Sequence, residues 1–346
     1  MLRTSFLLGI ACGLAAACNL AQAQEPTRAE PQQVIEFDAK LGRERKPVIT
    51  AVAVLPGGRL VATAGDDHHV RLWSTEDGLI KHTLKGHRDW VRTLAFSPDG
   101  KTLASGGDDH QVLLWDVETG KLALRLPPHG CAVYSLAYNP EGSRLAAVGF
   151  EKVVRLYEPA NAAEVHELEG PDADLRAVTF SPDGNHLAAA GRNGRIRQWT
   201  VPAGTVDLEI AAGPGRIRSL AYLPSGDSLV AAGDAREVSL WDAKTGERRG
   251  TLKSPSGKLL SMAVCSEHLI ATGGSDNLVR VWDWSKQTEA DRLQGHTGSV
   301  ATLAFDPQSA VIISGSFDTT VRVWKLAPPT PASQSADAAQ ERGTVR

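Results

Sequence analysis

The stretch GHRDWVRTLAFSPDGKTLASGGDDHQVLLWDVETG, residues 86–120, is the pattern on which this chain is built. Two runs of apolar and β-branched residues, Val91–Phe96 and Leu103–Gly106, flank an SPDG turn that carries proline and glycine at turn positions. A second, acidic turn leads into a third run, Val112–Asp116. Leucines then alternate with other residues over Lys121–Leu126, as in a half-buried strand. The stretch therefore predicts four antiparallel strands in one twisted sheet.

Seven copies of this pattern follow one another along the chain. An aromatic residue marks the third strand of each copy, with a spacing of 42 residues, or 41 in one case: Trp73, Trp115, Tyr157, Trp199, Trp241, Trp282 and Trp324. The turn between the first two strands keeps the same register, as LPGG, SPDG, NPEG, SPDG and LPSG in the first five copies and a shortened CSE in the sixth. A single small sheet cannot hide its apolar faces, so the copies must stack on one another.

These motifs resemble those of the WD-repeat β-propeller family. The family's features are a Gly-His pair, the SPDG turn, an aspartate in the second turn and a closing Trp-Asp. The Gly-His pairs are Gly86-His87 and Gly295-His296, and the Trp-Asp pairs are Trp115-Asp116, Trp241-Asp242 and Trp282-Asp283. The resemblance covers about residues 34–326 and implies an all-β, seven-bladed propeller of four-stranded antiparallel blades.

The last copy of the pattern is incomplete. After Trp324 the chain continues as KLAPP, so the seventh blade has three strands and lacks the outer fourth strand. Propellers of the WD-repeat family close their ring with a strand from the opposite terminus. The resemblance therefore implies a closing strand, and Val34–Phe37 is the candidate here. Such closure removes an open sheet edge that would otherwise invite aggregation.

The termini differ in composition from the repeats. Residues 1–23 predict a signal peptide, because Arg3 precedes an apolar stretch too short to span a bilayer and alanines stand at 21 and 23. A secreted or periplasmic protein is expected. An alternative is a lipoprotein signal with a lipid anchor on Cys18. Residues 24–33 predict a flexible lead, 34–327 the propeller and 328–346 a disordered tail.

Composition and charge narrow the classes of partner. The net charge of the 346 residues is −3, which disfavours a nucleic-acid binder. The unbroken repeat indicates one domain, and we expect a monomer without a transmembrane span. Beyond the predicted signal, Cys131 and Cys265 lie in loops on opposite faces of a propeller, so no disulfide is expected between them.

Two blades contain a Ser, His, Asp and Trp set that could suggest a nucleophilic enzyme. The first set is His87, Ser105, Asp109 and Trp115, and the second is His296, Ser314, Asp318 and Trp324. An enzyme needs one triad in a cleft, whereas repetition in separate blades favours a structural role. The resemblance implies the same role, a hydrogen-bonded structural tetrad. Blades three to five depart most from it, with alanine at the serine position.

Metals and cofactors are not expected. The turns DDHH at 66–69 and DDH at 108–110 bring acids and histidines to adjacent blades, but acids are common in tight turns and the second aspartate of each has a structural position. No haem, nucleotide-loop or zinc motif occurs.

Three series of residues surround the mouth of the central channel in similar propellers. The first precedes each inner strand and reads Val48, Trp90, Ala132, Asp174, Arg216, Lys258 and Ser299. The second lies two residues further on and reads Thr50, Arg92, Tyr134, Arg176, Arg218, Leu260 and Ala301. The third precedes the turn aspartate and reads Asp66, Asp108, Phe150, Arg192, Asp234, Ser275 and Phe317.

Aromatic residues and arginines from these series concentrate on blades two to five. The candidate partner-binding residues are Trp90, Arg92, Tyr134, Phe150, Arg176, Arg192, Arg216 and Arg218. Such residue types dominate binding hot spots. We therefore expect a non-enzymatic, extracytoplasmic scaffold for a protein or peptide, with arginines favouring an acidic one. The alternative is a channel-mouth binder of, or enzyme acting on, an anionic small molecule or polysaccharide.

Overall fold

The computed structural model describes residues 28–29, 33–36 and 46–326, with side chains described for the last range only. The predicted signal peptide, the Cys18 anchor and the predicted tail at 328–346 lie outside the described residues. So does most of the predicted lead.

The described chain is built from strands joined by turns. Two short strands precede the repeats: β1 Arg28–Ala29 and β2 Gln33–Glu36. The strands of the first four repeats are β3 Ile49–Val54, β4 Leu60–Gly65, β5 His69–Ser74, β6 Ile80–Lys85, β7 Val91–Phe96, β8 Thr102–Gly107, β9 Val112–Asp116, β10 Leu122–Arg125, β11 Val133–Tyr138, β12 Leu145–Gly149, β13 Val153–Glu158, β14 Ala163–Glu169, β15 Leu175–Phe180, β16 His186–Gly191, β17 Arg195–Thr200 and β18 Val206–Ala211. Those of the last three are β19 Ile217–Tyr222, β20 Ser228–Gly233, β21 Glu237–Asp242, β22 Arg248–Lys253, β23 Leu259–Val264, β24 Leu269–Gly274, β25 Val279–Asp283, β26 Thr288–Leu293, β27 Val300–Asp306, β28 Val311–Ser316 and β29 Thr320–Lys325.

These strands form seven antiparallel blades, which confirms the predicted seven-bladed propeller. Blades one to six take four consecutive strands each, beginning with β3, β7, β11, β15, β19 and β23 as inner strands. Blade seven has the order β2-β29-β28-β27, so its inner strand is β27.

The ring is closed by β2, as expected. Backbone pairing is antiparallel, with Gln33 opposite Val323 and Glu36 opposite Thr320. The strand occupies 33–36, one residue earlier than the predicted 34–37. The first blade-forming strand, β2, and the last strand, β29, thus lie side by side in blade seven, and the outer edge of β29 is paired.

The segment predicted as a flexible lead contains one pairing that the sequence did not indicate. Arg28–Ala29 run parallel to the outer strand β26 of blade six, with Arg28 opposite Arg292. An outer strand offers unpaired amides and carbonyls, which an adjacent extended segment can bond.

The apolar core lies between blades. Seven hydrophobic clusters occur among the described residues, one at each contact of neighbouring blades, including the contact of blades seven and one. The aromatic marker of each blade packs against the preceding blade. Trp115 of blade two, for example, packs with Leu72 of blade one, and Trp73 of blade one packs with Ile313 of blade seven. No blade therefore has a complete core of its own.

Both cysteines of the described ranges, Cys131 and Cys265, are free. Burial raises the pKa of the Cys131 thiol to about 11 and that of the Cys265 thiol to about 12.

In residues 28–29, 33–36 and 46–326 no helix has the length and apolar character needed to cross a bilayer.

Removal of the closing strand tests the seam between the termini. A chain beginning at Pro47 exposes the edge of β29 and is expected to melt at lower temperature and to aggregate, as judged by thermal denaturation and light scattering. The control is a chain beginning at Gln32, which keeps β2 and should behave as the full chain. A monomeric Pro47 variant with an unchanged melting temperature would contradict the role assigned to β2.

Candidate functional site

The two predicted tetrads form hydrogen-bonded chains of nearly identical geometry. His87 Nδ1 lies 2.9 Å from Asp109 Oδ2, its Nε2 lies 2.7 Å from Ser105 Oγ, and Trp115 Nε1 donates to that Oγ at 2.8 Å. In the seventh blade His296 lies 2.8 Å from Asp318 and 2.7 Å from Ser314, which Trp324 Nε1 approaches to 2.8 Å. Through its histidine, each of these hydrogen-bonded networks links the acidic turn to the second and third strands of one blade.

Burial of the serines bears on the chemistry of these sets. Ser105 and Ser314 are both 0% exposed. A nucleophile must meet a substrate carbonyl at about 3 Å, together with oxyanion donors. Neither hydroxyl can be reached from solvent, so these sets do not have the geometry of a catalytic triad.

Blade three contains a substitute network that the sequence analysis missed. His129 Nε2 lies 3.2 Å from the Tyr157 hydroxyl, and its Nδ1 lies 3.4 Å from Glu151. The tyrosine hydroxyl reaches the imidazole directly, so no serine is needed between them. Hydrogen bonds from His129 and Arg155 lower the pKa of Glu151 to about 2. The sequence does indicate this histidine, because His129 follows His87 by one repeat of 42 residues.

The three series identified from the sequence come together at one end of the blades. In every blade the amide of the third-series residue donates to the carbonyl of the first-series residue, at distances of 2.8 to 3.4 Å. Glycines at the end of the second strand permit this approach, since a Cβ on Gly107 would collide with the carbonyl oxygen of Trp90, and one on Gly191 with that of Asp174. We call the residues of the three series the rim, and the part from blades two to five the rim sector.

Most arginines of the rim sector are paired with aspartates of the rim itself. Arg92 Nε donates to Asp108 Oδ1 at 2.9 Å, and its Nη2 donates to Oδ2 at 2.5 Å. The Arg92 guanidinium also lies 4.5 Å from the centroid of the Trp90 ring. The arginines that were expected to favour an acidic partner are thus mostly engaged in ion pairs.

Asp174 joins two arginines from neighbouring blades. Its Oδ1 accepts a hydrogen bond from Arg176 Nε, and its Oδ2 accepts one from Arg216 Nη2 at 3.1 Å. The Asp174 side chain is almost completely buried, whereas both guanidinium groups are partly exposed. A buried carboxylate with two such partners holds both arginines in place. Asp174 belongs to the first series but was not predicted from the sequence as a candidate site residue.

A third ion pair lies on blade five. Arg218 Nε donates to Asp234 Oδ1 at 2.6 Å, and Lys258 Nζ of blade six lies 3.6 Å from the other oxygen. Burial acts to raise the pKa of Asp234, but the hydrogen bond from Arg218 and the nearby cations outweigh it, so the pKa lies below its ordinary value. With five arginines against the three aspartates at 108, 174 and 234, the rim sector carries a formal charge of +2.

Arg176 lies near two aromatic rings. Its guanidinium carbon lies 3.6 Å from the centroid of the Tyr134 ring and 6.0 Å from that of Phe150. Because Asp174 fixes the same guanidinium group, the stack has one defined geometry. Phe150 remains 57% exposed, so an apolar ring is presented to solvent beside a fixed cation.

Arg192 differs from the other arginines of the rim sector. Its amide bonds to the Asp174 carbonyl at 3.1 Å, yet its exposed side chain has no ion pair or hydrogen bond within residues 46–326. Phe150 and Arg192 are therefore the exposed apolar group and the free cation of this surface. The structure brings the eight predicted residues to one rim, but only these two are exposed and the other six are half-buried.

The acidic and histidine-bearing turns form no metal centre in the described ranges. Asp67 bonds to Arg71 at 2.5 Å and Asp109 bonds to His87. No group of three or more potential ligands from His, Cys, Asp or Glu occurs in the part of the chain that the structure describes.

Two family models match the chain. One, described as the IFT122 first beta-propeller, matches residues 48–218. The other, described as the WD domain, G-beta repeat, matches residues 246–283 and 287–325. Between them the two matches cover blades one to four, six and seven, whereas residues 219–245 of blade five lie outside both.

Similar curated proteins share short parts of this chain. The Periodic tryptophan protein 2 homolog of Neurospora crassa is 40% identical over 75 residues, 21% of this chain and 8% of that protein. The Probable coatomer subunit beta' of Schizosaccharomyces pombe is 42% identical over 55 residues, 16% and 7% of the two chains. Protein transport protein sec13 of Emericella nidulans is 34% identical over 84 residues, 22% and 27%. The chain thus covers less than a third of each of these relatives.

Acid denaturation tests the tetrads. Burial acts to raise the pKa of Asp109, but hydrogen bonds from His87 and from the Arg88 amide outweigh it and place the pKa below its ordinary value. A carboxylate with a depressed pKa in the folded state contributes stability that is present above the ordinary pKa, about 3.9, and is lost as the pH falls below it. Asp109→Asn should lower the free energy of unfolding by about 1–3 kcal/mol at pH 7 and by less at pH 3.

Urea denaturation at pH 7, 5 and 3 measures this difference. Glu118→Gln is the matched control, because it removes an exposed carboxylate of the same blade that makes no side-chain hydrogen bond within the described ranges. An Asp109→Asn deficit that stays constant from pH 7 to pH 3 would contradict the linkage.

The paired arginines of the rim give a second prediction. Asp174→Ala leaves Arg176 and Arg216 without their shared carboxylate and is expected to cost about 1–3 kcal/mol of unfolding free energy. Asp77→Ala, which breaks the exposed pair with Lys81, should lower the unfolding free energy by much less, because an exposed ion pair is screened by solvent. Equal losses in denaturant titrations would show that Asp174 does not organise the rim.

Proposed function

Since the chain belongs to the WD-repeat β-propeller family, we propose that it is a non-enzymatic scaffold that holds a protein or peptide partner against the rim sector. The observation that carries this proposal is the Arg176 guanidinium group, which is hydrogen-bonded to Asp174, lies over the Tyr134 ring and stands beside the exposed ring of Phe150. Aromatic residues and arginines held in one geometry lose little entropy on binding, and such residues dominate interface energetics.

The exposed apolar residues support this choice of surface. The large hydrophobic side chains exposed on the described chain are Leu79, Leu122, Phe150, Val206 and Phe317. The two aromatic members, Phe150 and Phe317, both belong to the third series of the rim. The three aliphatic members lie in or beside the turns before outer strands, at the other end of the blades.

The charge of the rim sector favours a partner with acidic groups. Arg192 has a free guanidinium group, and the formal charge of the sector is +2. A carboxylate of the partner could pair with Arg192 in a bidentate geometry while an apolar side chain covers Phe150. Paired arginines such as Arg92 and Arg218 would contribute orientation more than net attraction.

The alternative of a binder of, or enzyme for, anionic small molecules or polysaccharides is less well supported. A polyanion would need several free cations in a row, and Asp108, Asp174 and Asp234 occupy most of the arginines. The buried hydroxyls of Ser105 and Ser314 offer no accessible nucleophile.

We propose a location outside the cytoplasm, in the periplasm or secreted. The proposal rests on the composition of residues 1–23, with Arg3, an apolar stretch and small residues at 21 and 23. Partners are therefore to be sought in the cell envelope or in the medium.

The binding test uses Phe150 and Arg192, the two exposed residues among the eight candidates. The double variant Phe150→Ser, Arg192→Glu should reduce recovery of partners from crosslinked envelope extract by at least about tenfold, the effect of about 1.4 kcal/mol. Its melting temperature should stay nearly unchanged, because both side chains are exposed. Association should also slow as salt rises.

The control is Leu79→Ser, Lys121→Glu, which makes the same kinds of change on exposed residues at the end of the blades opposite to the rim. Quantitative mass spectrometry compares the proteins recovered by the two variants. Equal recovery by both would show that the rim sector is not the binding face.

A further inference from the structure

A second surface lies between blades four and five, at the end of the strands opposite to the rim. A cleft of about 580 Å³ opens there between the turn at 181–186 of blade four and the turns at 222–227 and 242–249 of blade five. Clefts of this size commonly hold a small molecule. Polar residues on the walls of the cleft distinguish this contact between blades from the other six.

Gln198 replaces an aliphatic residue on the wall of the cleft. The position before the aromatic marker is aliphatic in the other six blades, where it is Leu72, Leu114, Leu156, Leu240, Val281 or Val323. Gln198 is 3% exposed, so a polar amide has taken a core position. Burial of an amide costs free energy unless its hydrogen bonds are satisfied.

The side-chain amide of Gln198 makes hydrogen bonds with three residues. Its Oε1 accepts a hydrogen bond from the Tyr222 hydroxyl at 2.6 Å, and its Nε2 donates to the Ala243 carbonyl at 3.1 Å. Nε2 also donates to Asp207 Oδ2 at 3.3 Å, and His186 Nε2 lies 3.2 Å from the same oxygen. The network therefore runs from the core to a partly exposed carboxylate, and it fixes the orientation of that carboxylate.

The equivalent contact between blades two and three shows that this network is not needed for packing. There Leu114 occupies the position of Gln198, and Tyr138 occupies that of Tyr222. The Tyr138 hydroxyl is buried without a hydrogen-bond partner. At two other contacts the pair is Leu72 with Phe96, and Leu156 with Phe180.

The charges of the cleft favour a cation. Four aspartates and two cationic residues line it: Asp183, Asp207, Asp227, Asp242, Lys244 and Arg249. Its formal charge is −2 when His186 is neutral. Arg249 pairs with Asp242 at 2.5 Å, and Asp183 accepts hydrogen bonds within its own turn. The Asp227 carboxylate makes no hydrogen bond or ion pair with any part of 46–326, and neither does Asp207 Oδ1.

We propose that this cleft binds a small polar molecule carrying primary ammonium groups, held between the carboxylates of Asp207 and Asp227. Each ammonium group can donate up to three hydrogen bonds, and charge-assisted bonds to carboxylates are the stronger kind. The volume of the cleft exceeds what one lysine side chain fills, so a free amine such as a polyamine is the occupant assigned here. The site is separate from the rim and does not depend on the proposed scaffold function.

Calorimetric titration of the full chain with spermidine tests the proposal. Saturable binding of one spermidine per chain is expected, with affinity weakened at least about tenfold in Asp207→Asn and in Asp227→Asn, because each removes a charged acceptor. Glu118 lies in the turn of blade two that corresponds to the turn at 242–246 of blade five. Glu118→Gln removes its exposed carboxylate and should bind spermidine as the wild type does. Equal weakening by Glu118→Gln would show general attraction to an acidic surface and would overturn the site.

Two further arms complete the test. Gln198→Leu, Tyr222→Phe installs the aliphatic and aromatic pair found at two other blade contacts, so the fold should persist while spermidine binding falls. Unchanged binding in a folded double variant would contradict the role of the network. Tighter binding of the tripeptide Gly-Lys-Gly than of spermidine would identify a lysine side chain as the occupant and overturn the small-molecule assignment.

Discussion

Burial of one blade's aromatic residue against the preceding blade is the interaction on which the whole molecule depends. Trp115 packs on blade one, Trp199 on blade three and Trp324 on blade six. Each hydrophobic cluster is formed by two neighbouring blades, so all seven clusters are complete only when blade seven packs against blade one. Trp73 of blade one and Ile313 of blade seven make this contact. The pairing of β2 with β29 joins the two ends of the chain within that last blade.

A closed ring of this kind supplies a stiff support for loops. The rim is shaped by backbone bonds between its first and third series in every blade. Glycines such as Gly191 let the loop carbonyls approach the end of the second strand. On this support Asp174 orients Arg176 and Arg216, and Arg176 in turn stacks on Tyr134. The rim sector is therefore organised before any partner arrives, which reduces the entropy lost on binding.

Repetition also allows a single contact between blades to differ without loss of the fold. Blade three replaces the serine of the tetrad with the hydroxyl of Tyr157, and His129 still connects it to Glu151. Blade four places Gln198 where the other blades have an aliphatic side chain. The first change preserves a connection inside one blade. The second directs polar groups into a cleft, where they can meet a ligand.

The spacing of 42 residues and the alternation of apolar side chains are local properties of the chain, so the blade pattern and the number of blades could be predicted from them. The closing strand, the two tetrads and the series that form the rim were implied by the resemblance of this pattern to WD-repeat propellers. Which of these residues are free depends on contacts that arise only in the folded protein. Arg192 and Arg176 look alike in sequence, but only a fold that brings Asp174 beside Arg176 and Arg216 reveals that one cation is available and two are paired. The cleft is likewise a property of two blades in contact, since Gln198 and Asp207 of blade four meet Asp227 only when blade five packs against blade four.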